Sequence, residues 1–438
     1  MTAMNTSRLR SPLLLPAISL ASLSLIAACG QAPDSSASSP EAPATSTPPA
    51  GSGEKEVPSV TPRVLLADAS GLRLLDAESG DTVHTHASTD FLRLSDAGDG
   101  RHVVVADGDV FRVYDAGIEL KAHGDHDQAY TYNPGLTEVT YAAKKAGHVV
   151  PHSGQTALFG DGDGSIQLVA TDEIAKPGAN VERRTADAPH HGVAVWLGGQ
   201  GLLTTQGAAD ARKTIELKAG DRVAAKTDDC AGVHGEATAK PANGAPVVFF
   251  GCEDGPVVFR DMAFHKIAVK EAYARTGNAA GSPTSPVVLT DYKTDKEAKP
   301  ERPTRVALVD THKDSLRTVE LGSSYWFRSL GRGPHGEGLV LTYDGNLTVL
   351  DQDKATVAAR IPAIGEWQEK DKWQEPGPIL KVAGDRAYVT DAQHKQLVVV
   401  DLEKREVVAR HTLDSPAVEM AVVTGAAEGA DDHAGHSH

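Results

Sequence analysis

Short apolar runs alternate with polar turns from about residue 60 to the end of the chain. "VLLADASGLRLLD" from Val64, "VVVADGDVFRVYD" from Val103 and "ALFGDGDGSIQLV" from Ala157 share one design. So do "VVFFGCEDGPVVF" from Val247, "LVLTYDGNLTVLD" from Leu339 and "AYVTDAQHKQLVVVD" from Ala387. Each has β-branched residues at period two on both sides of an Asp- or Gly-rich turn, the pattern of a β-hairpin. Weaker copies start at Gly201 and Val287. The copies recur every 40 to 50 residues or so, the spacing of four-stranded propeller blades. One copy cannot bury both of its faces, whereas a closed ring of copies can. The pattern therefore predicts an all-β fold, a single β-propeller of eight blades, with seven as the alternative because two copies are weak. No long segment of helical period competes.

The ends read differently. Arg8 and Arg10 precede an apolar run from Leu13 to Ala28 that is too short for a good membrane helix. Ile26-Ala27-Ala28-Cys29 matches a bacterial lipobox, which predicts a signal peptide over 1–28 and a lipid on Cys29. A plain secretory signal is the alternative. Residues 29–59 are rich in Pro, Ser and Ala and are expected to form a flexible tether. The propeller is expected over 60–424, with a flexible His- and Asp-rich tail over 425–438. The expected location is outside the cytoplasm, anchored by lipid to the outer face of the cytoplasmic membrane. In that oxidising setting Cys230 and Cys252 are expected to form a disulfide, with a pair of zinc thiolates as the rival reading.

Charge narrows the function. The chain has 59 acidic against 43 basic residues, for a net charge of −16, which disfavours nucleic acid as a partner. Its 18 histidines are unevenly placed. His148, His191 and His234 each precede the hairpin of a successive copy, where an inner strand should begin and where residues distant in sequence can converge at one channel mouth. His123 and His126, in "KAHGDHDQ" with Asp125, follow the second copy and are expected to reach the same mouth. Imidazole and carboxylate ligands in a tetrahedral shell suit Zn²⁺, and thioether ligands for Cu(I) are scarce, with four methionines in the chain.

The other histidines divide by context. His191 is favoured over its neighbour His190, because strand alternation turns only one of them inward. His152 stands between ligand and hydrogen-bonding partner of a ligand. His84, His86, His102, His265, His312, His394 and His411 read as satisfied polar residues, and His335 as part of a turn. "DGDG" at 161–164 hints at calcium but lacks the rest of an EF-hand loop, and reads as a hairpin turn. His433, His436 and His438 on the tail form a candidate second, weaker metal site.

"AHGDHD", "HVVPHSGQTALFGDGDG" and "APHHGVAV" together resemble segments of the AztD-type zinc metallochaperones, over roughly residues 60 to 420. The resemblance implies a protein that binds zinc outside the cytoplasmic membrane and hands it to the zinc-binding component of an ABC importer, acting as a carrier and not an enzyme. It implies that His123, Asp125, His126, His148 and His191 are zinc ligands. This chain departs from the pattern in one respect: the segment from Gly30 to Ser59 holds no histidine, and the His-rich tract is at the C-terminus instead. A monomer is expected. Two other functions stand beside this one. A metal-dependent hydrolase or lactonase would need an open coordination position and a general base. A metal-free surface scaffold would present the loops alone.

Overall fold

The computed structural model describes residues 48–124 and 126–427. The segment before residue 48, with Cys29, lies outside the described residues, as do Asp125 and the tail histidines His433, His436 and His438.

Eight antiparallel four-stranded blades account for nearly all of the strands. The inner strands of blades two to eight are Leu92–Asp96, Ala146–His152, Ala194–Trp196, Glu236–Ala242, Ala279–Ser282, Leu330–Arg332 and Leu380–Ala383. Blade one is built from both ends of the chain. Its inner strand, Glu419–Val423, pairs with Arg63–Asp68, and Gly71–Asp76 and Thr82–Ala87 complete it. The eight-bladed expectation is met, and the two weak copies, from Gly201 and Val287, are full blades.

The period-two pattern explains why the ring closes. Along Arg63–Asp68, Val64 and Leu66 turn to one side and Leu65 and Ala67 to the other. Val64 and Leu66 pack with Tyr388 and Leu397 of blade eight. Leu65 and Ala67 pack with Leu92, Leu94 and Val103 of blade two. The middle strands of the other blades do the same, so one apolar core lies between each adjacent pair of blades around the ring. Outer strands such as Thr356–Pro362 alternate exposed with less exposed residues, since only one face is covered.

All inner strands run the same way along the channel. They begin at one rim, here the leading rim, and end at the other, the trailing rim. A hairpin is inserted at the trailing rim. Strands Ile118–His123 and His126–Thr131 leave blade two after its third strand, Val110–Asp115, and before its outer strand, Gly135–Ala142. The N-terminal strand Lys55–Val57 pairs with this hairpin, so ordered structure starts within the expected tether. The cause is contact with the hairpin region: Gly51 N–H donates to the Asn133 carbonyl, and Lys121 and Tyr132 both hold the Glu54 carboxylate at 2.7 Å.

A charged network fixes the hairpin to the blade. Arg101 pairs with Asp115 at 2.7 Å and Glu119 at 2.8 Å and lies over the Tyr132 ring. His102 is buried between Asp99 and Asp115. Burial opposes its charge, but the two carboxylates outweigh burial and push its pKa up to about 9.

The disulfide Cys230–Cys252 is present, with Cα atoms 5.0 Å apart, and both residues are buried. It ties the segment leading to His234 to the loop just after strand Ala245–Phe250.

Two stability predictions follow from these contacts. Replacing both cysteines by serine should cost about 3 kcal/mol by loop entropy, read by chemical denaturation. The wild type should then fall to that level in a reducing agent, and the variant should not respond. His102 has a raised folded pKa, so its charge stabilises fully below pH 6.5 and less as pH climbs through about 9. His102→Gln should lower stability near neutral pH by a few kcal/mol and remove the decline seen in the wild type above neutral pH. An unchanged slope would show that His102 is not the titrating group.

Candidate metal centre

Three imidazoles converge at the leading rim. His148 lies near the start of blade three's inner strand, while His191 and His234 lie just before those of blades four and five. Their ring centroids are 4.8 Å apart for His148–His191, 5.1 Å for His191–His234 and 6.5 Å for His148–His234. The Nε2 atoms of His148 and His191 are 3.2 Å apart. Two nitrogens bound to one tetrahedral zinc at 2.0–2.1 Å would stand about 3.3 Å apart.

His191 and His234 are held by hydrogen bonds through their other nitrogen, and His148 has a carboxylate near its own. His191 Nδ1 is 2.6 Å from Asp161 Oδ2. His148 Nδ1 is 3.5 Å from Glu236 Oε2. His234 Nδ1 donates to the Gly277 carbonyl at 3.1 Å. Protons on the Nδ1 side, as these acceptors require, leave lone pairs on Nε2. The facing lone pairs of His148 and His191 repel unless a proton or a cation stands between them. Buried carboxylate oxygens add to this demand, since Asp161 Oδ1 and Glu236 Oε2 have no hydrogen-bond donor among the described residues.

His234 is the most enclosed of the three. Burial, assisted by the charge of Arg275, pulls its pKa down to about 3, so the ring is neutral at ordinary pH. Arg212 anchors the neighbouring segment by donating to the His191 carbonyl at 3.2 Å. Among the described residues, no group of three or more His, Cys, Asp or Glu side chains stands at positions that could hold a metal ion as they are. The His148–His191 pair is at ligand spacing, and His234 has to close on it.

Asp161 and Glu236 were not among the sequence candidates. Asp161 opens the "DGDG" turn, which is a hairpin turn as expected, but the turn projects from the leading rim and its first carboxylate meets His191. No sequence signal singled out Glu236: it opens the strand Glu236–Ala242, and the left-handed Gly235 breaks the alternation that would link it to His234.

The hairpin histidines are elsewhere, contrary to the sequence expectation. His123 and His126 pair across the hairpin tip with ring centroids 5.3 Å apart. That hairpin belongs to the trailing rim, because it leaves blade two after the third strand and not at the crossover to blade three. The tail also starts there, since Leu120 N–H donates to the Gly425 carbonyl at 2.7 Å.

Other histidines follow their expected roles. His190 is buried and bonded to the Ala188 carbonyl and Thr205 Oγ1. His152, left open between two roles, ends its strand about 13 Å beyond His148 at the usual strand rise. There it bonds the Trp196 carbonyl. His84, His312 and His394 have protein partners.

No known family profile matches the chain. The zinc chaperone AztD of Citrobacter koseri is 24% identical over 391 residues, which is 86% of this chain and 89% of that protein. The crystal structure of Citrobacter koseri AztD superposes with a TM-score of 0.71 at 23% identity, covering 86% of this chain and 99% of that one. The structure of apo AztD from the same organism gives a TM-score of 0.69 at 22% identity, covering 84% and 99%. The chain resembles the AztD-type zinc chaperones along most of its length and has the same propeller fold.

Proposed function

We propose that this protein is an extracytoplasmic zinc metallochaperone. It holds Zn²⁺ with His148, His191 and His234 at the leading rim of the propeller. It passes the ion to the zinc-binding protein of an ABC importer and reaches the cell surface as a lipoprotein anchored through Cys29. The observation that carries the reading is the pair of Nε2 atoms 3.2 Å apart, with a third ring beside them and all three Nδ1 atoms facing acceptors. The relative named a zinc chaperone supports it.

The chemistry is ligand exchange. Three neutral imidazoles leave one position of a tetrahedral shell open to an incoming donor. A partner's ligand occupies that position first, and the protein's imidazoles then leave one at a time, so the ion is never free in water. Asp161 fixes the tautomer of His191 and raises its basicity, the Gly277 carbonyl fixes that of His234, and Glu236 adds negative charge near His148. His123 and His126, at the hairpin tip of the other rim, take no part in this site.

Zinc titration of variants tests the ligand set. His191→Ala and His234→Ala should abolish the tight site. Asp161→Asn should weaken it about 10- to 100-fold. His126→Ala and a truncation after Gly429 should leave it intact. Loss of the tight site in His126→Ala would return the hairpin to the shell and refute the assignment.

Proton competition gives a second test. Affinity should fall from about pH 7.5 to about pH 5 as ligand imidazoles protonate. His234 stays neutral down to about pH 3 because it is buried, so it takes up no proton in that window. At most two protons should therefore compete per zinc, read from the slope of log affinity against pH. A slope of three would show that His234 is not held neutral or that another histidine is a ligand.

A further inference from the structure

Two of the three rings, His148 and His234, open onto a cavity of about 320 Å³ at the leading rim. His148, His234 and Glu236 line it from blades three and five, and Arg93, Arg328 and Lys381 line it from blades two, seven and eight. Zinc at the rings would therefore face a cationic wall.

The cations on that wall are not equivalent. Arg328 is buried and committed: it pairs with Glu419 and donates to the Trp373 carbonyl at 2.8 Å. Arg93 and Lys381 are different. Each is the second residue of an inner strand, and the leucines beside them, Leu92, Leu94 and Leu380, are buried in the blade cores. Alternation therefore turns both cations into the channel. Neither makes an ion pair among the described residues. The charge of Arg93 reaches Arg328, so the wall also repels itself. Cations without an ion pair that line the same small cavity as His148 and His234 leave room and charge there for an anion.

We propose that this cavity binds a carboxylate, held by Arg93 and Lys381 with one oxygen directed at the open fourth position of the metal. The inference rests on the reading of His148, His191 and His234 as zinc ligands. The carboxylate is the first incoming ligand of the exchange. Carboxylate oxygen is a competent zinc ligand, and an anion offsets the repulsion between the ion and the wall. The chemistry suits either a free small dicarboxylate or an acidic side chain of the acceptor protein, and the cavity is large enough for one or the other.

Cobalt(II) in place of zinc makes the fourth position visible in the absorption spectrum. Titration of the cobalt-loaded protein with succinate should give a saturable spectral change. In Arg93→Gln/Lys381→Gln the midpoint should rise about tenfold or more, while cobalt binds at least as tightly because the repulsion has been removed. Cobalt uptake also reports that the variant is folded. A second arm uses a hexapeptide with one central glutamate and its glutamine counterpart. A response to succinate assigns a free dicarboxylate. A response to the glutamate peptide alone assigns an acidic side chain. No spectral change with either probe, or an equal midpoint in the double variant, overturns the proposal. If cobalt itself fails to bind, the metal reading has failed, and calorimetry of succinate against metal-free protein decides the rest. Binding that the double variant loses keeps the carboxylate site, and absence of binding removes it.

Discussion

Burial of both faces of each middle strand is the constraint on which everything else rests. A strand such as Arg63–Asp68 offers Leu65 to one neighbour and Leu66 to the other, so no blade is covered until it has two neighbours. The demand ends only when the last blade meets the first, and here the first blade takes its inner strand from the C-terminal end of the chain. Closure in turn fixes direction. Every inner strand starts at the same rim, and a residue near that start projects into a common space. His148, His191 and His234 are separated by 43 positions in each step of sequence, as their numbers show. In space their rings are neighbours. The cluster of three imidazoles is therefore a consequence of ring packing, and no local motif encodes it.

The electrostatics of the rings show a balance between holding and releasing a cation. Burial keeps His234 neutral and removes proton competition at that position. Asp161 and Glu236 supply negative charge on the far side of the rings, and Arg212 and Arg275 supply positive charge close by. Carboxylates behind imidazoles strengthen the donors, and guanidinium groups near the ion weaken its binding. A site with only the first feature would retain its metal. A carrier needs both, because the ion has to leave when a competing ligand arrives.

Much of this was legible in the sequence, for a definite reason. The hairpin copies have strong period-two patterns and turn residues, and the fold follows from their number and spacing. The three histidines were legible because they occupy equivalent positions in successive copies. The hairpin from Ile118 to Thr131 was misplaced because it, too, reads as strand, turn, strand. Local alternation cannot say whether a strand continues its blade or leaves it, and the true outer strand, Gly135–Ala142, comes later. Asp161 was hidden for a related reason. An aspartate in "DGDG" satisfies turn chemistry by itself, and only the neighbouring blade shows that its carboxylate also meets an imidazole. The start of ordered structure was set too late because Lys55–Val57 has little apolar surface. It is held by pairing with a hairpin some 70 residues further on, a contact that composition does not register.

The position of the two chain ends bears on how transfer can occur. Gly51 bonds the Asn133 carbonyl, and Gly425 bonds both Leu120 and Gly100, so the described chain enters and leaves at the trailing rim. The hairpin, the N-terminal strand and the root of the tail all gather there. The leading rim holds the rings and the cavity, and neither end of the described chain lies there. Ligand exchange requires a second protein to come within bonding distance of the ion. In the proposed carrier the described ends lie at one rim and the imidazoles at the other, so neither described end stands between the rings and an incoming ligand.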